Sequence, residues 1–232
     1  YPDSLRSVWL YTEGVKQNAI AGDSVRAREL FLEAIRNDST YAPAYYELAA
    51  NGMYATPDEA VELARKAFRL DTTNKWYHQF YGQALIYAGR YDEALKVCRQ
   101  NIRRNRLTAR VASLKIDARE KPARTLGEFQ FLVSNPPYIP SADIDTLDAS
   151  VREHEPRLAL DGGADGLDFY RVICEKWRDA LCENGMLFFE VGIGQADQVL
   201  RIMRSHGFGD IQIVKDLNNI PRVVYGTRVE TI

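Results

Sequence analysis

The stretch of this 232-residue chain best suited to chemistry is Asn135-Pro136-Pro137-Tyr138. Two successive prolines fix the backbone and remove two donors, leaving carbonyls free to point into a pocket. A planar amide or amine nitrogen that attacks a methyl sulfonium must have its two hydrogens held by acceptors. The Asn135 side-chain oxygen and the Pro136 carbonyl can supply both, which makes these two the candidate catalytic groups. Tyr138 can cover the planar substrate group, and an aromatic face favours a sulfonium charge by on the order of 1 kcal/mol at an exposed site. No general base needs to stand close by. The alternative is that Asn-Pro-Pro is a turn and nothing more.

These residues must be positioned by the elements around them. After about Leu107, short apolar runs alternate with helical segments. RVASLKI (110–116), FQFLVS (129–134), MLFFEVG (186–192), IQIV (211–214) and RVVYGTR (222–228) read as strands. DFYRVICEKWRDAL (168–181) and QADQVLRIMRSHG (195–207) read as amphipathic helices. The alternation predicts a mostly parallel sheet, whose sites lie beyond the carboxyl ends of its strands. Three such endings carry polar residues: Asp117, Asn135 to Tyr138, and Glu190 to Gly194. Gly192-Ile193-Gly194 follows a strand and precedes a helix, but one GxG is a weak cofactor signal and reads as a turn.

The first hundred residues carry a different period. Ala27, Ala60 and Ala94 are spaced by 33 and then 34 residues, a helical-repeat spacing. Second helices of each pair are expected over 22–35, 56–68 and 89–98, and first helices over 8–20, 42–54 and 75–87. Turns fall at Gly22-Asp23, Pro57-Asp58 and Gly89-Arg90. The pattern resembles the tetratricopeptide repeat, with Ala44, Leu48, Ala67, Trp76 and Gly82 near the family's small or bulky positions; the prolines that usually end each repeat are missing. Such arrays bind a peptide or protein partner in a concave face, or serve as scaffolding. Tyr45, Tyr46, Tyr77 and Tyr81 could line that groove, although packing between helices is the commoner use of aromatic residues at this spacing.

VSNPPYIP followed by HEPRLALDGGADGLDFYRVI (154–173) resembles the peptide chain release factor N(5)-glutamine methyltransferases. The resemblance covers roughly 91–232, including DEALKVCRQNIRRN and KIDARE, so a repeat domain over 1–90 and a partial Rossmann-like class I methyltransferase domain over 91–232 are expected. It implies S-adenosylmethionine as cofactor and a class I release factor as protein substrate. Asn135, Pro136, Pro137 and Tyr138 would then hold the glutamine of the Gly-Gly-Gln motif. Asp117 and Ala118 would lie near the adenine, with Asn135 also on the cofactor. Glu155-Pro156 to Gly166 would shape a loop over the substrate, and Glu190, if not a structural cap, would end a neighbouring strand.

This chain departs from the family pattern at its front. Neither the Gly-rich turn after the first strand nor the acidic residue ending the second is present, nor the family's N-terminal helical domain; the change falls within Gly89 to Leu95. With those strands missing, FQFLVS loses a central neighbour, for which RVASLKI could substitute, and a half-built cofactor pocket is expected.

Composition narrows the classes. The chain is 46% hydrophobic and 27% charged with a net charge of -2, as in a soluble globular protein, and offers no electrostatic case for nucleic acid. That weighs against a DNA adenine methyltransferase, the other use of such a corner. A protein-binding repeat module joined to an inactive methyltransferase remnant is the remaining alternative. Cys98, Cys174 and Cys182 are too few and scattered for a disulfide framework or zinc site and are expected to be reduced and structural. No run is long enough for a membrane span. The chain opens Tyr1-Pro2-Asp3, without a signal core or an initiator methionine, so sequence ahead of it is allowed for and a cytoplasmic protein is expected.

Overall fold

The computed structural model describes residues 3–53, 55–147 and 157–229. The chain divides into two compact units, Tyr1–Lys115 and Ile116–Ile232.

The first unit is six helices: α1 (Asp3–Lys16), α2 (Ser24–Asn37), α3 (Ala42–Gly52), α4 (Pro57–Leu70), α5 (Lys75–Tyr87) and α6 (Tyr91–Arg104). Each packs against the next in sequence. A single turn of π-helix, Gln17–Ala21, extends α1 until Gly22 closes it in the left-handed region at φ 68°. The Asp23 carboxylate caps α2 by accepting from the Arg26 amide at 2.8 Å, and Asn74 caps α5 through the Trp76 amide at 3.0 Å. Helix α6 carries Asp92 and Glu93 in its first turn and Arg103 and Arg104 in its last, the arrangement that complements the helix dipole. The periodic alanines Ala27, Ala60 and Ala94 are all buried, so α2, α4 and α6 approach their neighbours closely. Tyr77 and Tyr81 are buried packing residues, whereas Trp76 is 58% exposed.

Helix α6 belongs to this unit by contact, because Ala94 and Val97 share one apolar cluster with Ala84 and Leu85 of α5. The contact boundary therefore lies after Lys115 rather than after residue 90.

The second unit is built on four strands: β1 (Phe129–Ser134), β2 (Leu181–Glu190), β3 (Phe208–Lys215) and β4 (Pro221–Arg228). Their order is β1-β2-β4-β3, with β1 parallel to β2 and the other two pairs antiparallel. The sheet is mixed, not mostly parallel as the alternation predicts: a short turn at Asp216–Asn219 joins β3 directly to β4, and so short a link permits only an antiparallel pair. RVASLKI is not a strand. Its Val111, Leu114 and Ile116 are 43–55% exposed, and alternation without a neighbouring strand cannot hold the extended form. It does not pair with β1, whose outer edge is open among the described residues.

Among the described residues three helices accompany the sheet: the single turn α7 (Arg157–Leu160), α8 (Asp168–Trp177) and α9 (Ala196–Ser205). Tyr170, Ile173 and Cys174 of α8 and Val199 and Met203 of α9 pack on Leu187, Phe189 and Val224. This is the core, and it covers one face of the sheet. On the other face Phe131, Phe188 and Tyr225 form an aromatic ladder across β1, β2 and β4, with centroids 6.3 and 5.0 Å apart. Phe131 is 59% and Val133 79% exposed there. Cys174 lies in the core, where burial pushes its thiol up to about 12, and Cys98 is exposed.

Candidate active site

Asn135 to Tyr138 leave the carboxyl end of β1. Pro136 is buried, Pro137 and Tyr138 are half-buried, and Asn135 is exposed. Among the described residues no hydrogen bond engages the Asn135 side chain or the Pro136 carbonyl, so both acceptors are free. The rest of the corner is held from three sides.

The first hold is a short parallel bridge between Ile139 and Asp161. The Ile139 amide donates to the Leu160 carbonyl at 3.0 Å, and the Gly162 amide donates to the Ile139 carbonyl at 2.9 Å. The Ser141 amide donates to the Gly163 carbonyl at 2.9 Å. Its hydroxyl donates to the Asp161 carboxylate at 2.6 Å, where the Gly163 amide also donates at 3.0 Å. These bonds hold the Asp161 carboxyl below the usual carboxylate range.

The second hold is close backbone approach. A methyl group at Gly162 would stand 2.8 Å from the Pro137 carbonyl oxygen and 2.8 Å from the Tyr138 Cα. At Gly166 it would overlap the Tyr138 carbonyl oxygen, and at Gly192 it would stand 2.9 Å from the Tyr138 ring. Three glycines from two other segments thus accommodate one tetrapeptide.

The third hold is Gln195, which is 9% exposed. Its amide nitrogen donates to the Tyr138 carbonyl at 2.8 Å and to the Gly166 carbonyl at 3.4 Å, while its oxygen accepts from the Gly192 amide at 3.1 Å. One side chain therefore joins the corner after β1, the loop before α8 and the turn after β2. Gly192-Ile193-Gly194 is the turn that the pattern predicts, with Gly194 at φ 82° and Ile193 70% exposed. Sequence reasoning missed Gln195 and the clamping glycines. The signal available for them was Gly162, Gly163 and Gly166 standing within one five-residue stretch.

Glu190 ends β2, and its carbonyl accepts from the Tyr170 hydroxyl at 3.0 Å. Burial raises the Tyr170 hydroxyl well above the usual phenol range, so it stays a donor at any ordinary pH. Tyr170→Phe is expected to lower the stability of this unit by about 1–2 kcal/mol, since a carbonyl loses its buried donor. Urea unfolding checks this, and an unchanged midpoint would show that the bond contributes nothing.

Asp117 and Ala118 lie in a turn, not at a strand end. The Asp117 carboxylate accepts from the Arg119 amide at 2.9 Å and from its guanidinium at 3.0 and 2.8 Å, which hold it down at about 2. The Ala118 carbonyl accepts from the Trp177 indole at 2.8 Å, docking this turn on α8. No hydrogen bond or ion pair joins Asp117 or Ala118 to Asn135 among the described residues. Within the loop expected over the substrate, His154, Glu155 and Pro156 lie outside the described residues, whereas Arg157 to Gly166 form α7 and the clamp. Next to the clamp, a cleft of about 520 Å³ is lined by Arg119, Ser141, Arg157, Asp161, Asp168 and Phe169, among others.

The residues present fit the S-adenosyl sulfonium expected from the resemblance only in part. Asp117 is occupied by Arg119, and no glycine-rich turn borders the open edge of β1 among the described residues. They do not make a cofactor site by themselves.

No family model matches the chain. The release factor glutamine methyltransferase of Geobacter sulfurreducens is 53% identical over 98 residues, 42% of this chain and 34% of the relative. That of Caulobacter vibrioides is 43% identical over 138 residues, 59% of this chain and 46% of the relative. The second match is longer than the sheet unit, so sequence similarity continues into residues that the contacts assign to the helical unit. The chain spans between a third and a half of the length of these relatives. Among solved structures, the protein-(glutamine-N5) methyltransferase of Alicyclobacillus acidocaldarius is 34% identical over 44% of this chain and 50% of that one, with a TM-score of 0.29. The MamA protein is 22% identical over 50% of this chain and 63% of that one, with a TM-score of 0.41.

Proposed function

We propose that the sheet unit supplies the substrate-holding part of a protein-glutamine N-methyltransferase. Asn135 and Pro136 accept the two hydrogens of the glutamine side-chain amide in the Gly-Gly-Gln motif of a class I release factor, and Tyr138 covers its plane. S-adenosylmethionine is the methyl donor that this reaction would need; Asp117, Ala118 and Asn135 would hold it only in a pocket completed by groups beyond these residues, since Asp117 is itself engaged by Arg119. The observation that carries the reading is two free acceptors at a corner whose remaining atoms are clamped by Gly162, Gly166, Gly192 and Gln195. The names of the relatives support it independently. Among the described residues no helix is long and apolar enough to cross a membrane.

The test is binding of a purified release factor to the chain, with Asn135→Ala as the comparison. Loss of one charge-free acceptor should weaken binding roughly tenfold, or about 1.4 kcal/mol, with thermal unfolding unchanged. Any methyl transfer should disappear with it. Equal binding and transfer by both proteins would remove the assigned role.

A second reading is favoured by the open β1 edge and the missing glycine-rich turn: the helical unit recruits a protein partner and the sheet unit turns over nothing. Calorimetric titration with S-adenosylmethionine separates the two. The half-built pocket predicts affinity weaker than micromolar, and a saturable micromolar signal would show that the pocket is complete. A DNA adenine substrate is disfavoured by the net charge of -2.

A further inference from the structure

The groove between α5 and α6 corresponds to the groove between α3 and α4 one repeat earlier, and the two are lined differently. Helix α5 fills the earlier one: Tyr81, Ala84 and Leu85 share an apolar cluster with Ala49, Ala60 and Ala64, and Tyr77 shares one with Ala67. Those four alanines are at most 1% exposed. Thirty-four residues later Ala60 recurs as Ala94, but Ala49, Ala64 and Ala67 give way to Gln83, Cys98 and Asn101. The later groove holds a cavity of about 520 Å³, lined by no aspartate, glutamate, lysine or arginine. Pockets that hold small ligands span about 300–1,000 Å³. Ala94 and Val97 are its buried apolar side, and Gln79 and Gln83, one turn apart on α5, face it together with Asn101 of α6.

Among the described residues no hydrogen bond engages the side chains of Gln79, Gln83 or Asn101. His78 lines the same cavity and is 8% exposed. Its Nε2 lies 2.7 Å from the Thr72 carbonyl and also meets the Arg104 guanidinium, whereas its Nδ1 is buried with no partner among the described residues. A buried ring nitrogen without a hydrogen bond is unfavourable, and a ligand can supply the missing one. A helix laid here as α5 lies on the earlier groove would cover these amides with a backbone whose own groups are already paired, leaving them unsatisfied. An extended chain brings unpaired N–H and C=O groups, and a side-chain amide can pair with either. A charged side chain would find no countercharge among the lining residues.

We propose that the groove between α5 and α6 binds an extended, uncharged segment of a partner polypeptide, whose backbone pairs with Gln79, Gln83 and Asn101 while one apolar side chain packs on Ala94 and Val97. The site lies wholly within the helical unit and is independent of the methyl-transfer reading.

Cys98 is exposed and lines this cavity, so its modification by iodoacetamide, located by mass spectrometry, reports occupancy. The probes are five peptides, N-acetyl-Thr-Val-Xaa-Val-Thr amide, with alanine, valine, leucine, methionine or phenylalanine at the centre, added to the full chain. Saturable slowing of Cys98 modification by at least one of them is expected. Methylation of its central backbone nitrogens should weaken that peptide about tenfold or more, since the side chains stay and the donors go. Exchanging its four flanking residues for 2-aminoisobutyrate, which holds the same central residue in a helix, should abolish the effect. The double variant Gln83→Ala/Asn101→Ala carries the alanines found at Ala49 and Ala67, so it should unfold at the parent's temperature or above while binding about tenfold or more weakly. No slowing by any of the five, tighter binding of the helical analogue, or affinity unchanged in the double variant would overturn the site.

Discussion

Replacing Gly166 by alanine should cost the sheet unit on the order of 3 kcal/mol or more, whereas the same replacement at Gly194 should cost only about 1 kcal/mol. Both residues are left-handed, at φ 74° and 82°, so both substitutions incur the conformational penalty of a side chain in that region. They differ in surroundings. Nothing lies within 4 Å of a methyl at Gly194, while at Gly166 it would overlap the Tyr138 carbonyl and stand 2.7 Å from the Gln195 amide nitrogen. A backbone carbonyl cannot swing aside as a side chain can, so the corner itself must shift. Trp177 is half-buried in this unit, and Trp9 and Trp76 are 62% and 58% exposed in the other. With Trp9→Phe and Trp76→Phe in the background, the remaining indole reports unfolding of this unit alone. Equal losses at the two glycines would show that the corner is not clamped at Gly166.

Gln195→Ala should cost about 2–4 kcal/mol, since it strands the Tyr138 carbonyl and the Gly192 amide. Gln195→Glu should be worse at neutral pH and partly recover in acid. A carboxylate there keeps the bond from the Gly192 amide but faces the Tyr138 and Gly166 carbonyls with negative charge and no donor. Protonation restores one donor, so the folded state binds the proton more tightly than the unfolded chain, and the deficit shrinks as pH falls. The Gly166→Ala and Gln195→Ala losses should combine to less than their sum, because either one already releases Tyr138. A pH-independent deficit in Gln195→Glu, or full additivity with Gly166→Ala, would show that Gln195 does not act through that carbonyl.

Much of the helical unit was legible, because each helix presents small buried residues at a fixed spacing and the signal lies within each helix. All six predicted helices are present, with ends shifted by a few residues. The strands 129–134, 211–214 and 222–228 were legible for a similar reason, since apolar runs bounded by turn residues mark a strand whichever way its neighbour points. Direction of pairing was not legible. Alternation with helices suggested parallel neighbours, but the Asp216–Asn219 turn, with the Asn218 and Ile220 amides on the Asp216 carboxylate, makes a tight connection between antiparallel strands. RVASLKI failed because a strand needs a partner, and no residue within it says whether one exists. At the candidate site the corner residues were legible from their types, since two prolines constrain their own backbone. Gln195 was not, because its role depends on three carbonyl and amide groups brought from 57, 29 and 3 residues away.

The bare aromatic ladder changes the meaning of a common assay. Dyes such as anilinonaphthalene sulfonate brighten on exposed apolar surface, and brightness is usually taken as a sign of loosened packing. Here Phe131, Val133, Phe188 and Tyr225 offer a dye a flat apolar surface while the opposite face remains packed. The native chain should therefore be bright before any heating, and the signal should change little when the sheet unit melts. A dye-based thermal screen would miss both the transition and any ligand that shifts it, so titrations of this protein are better followed by Trp177 or by heat.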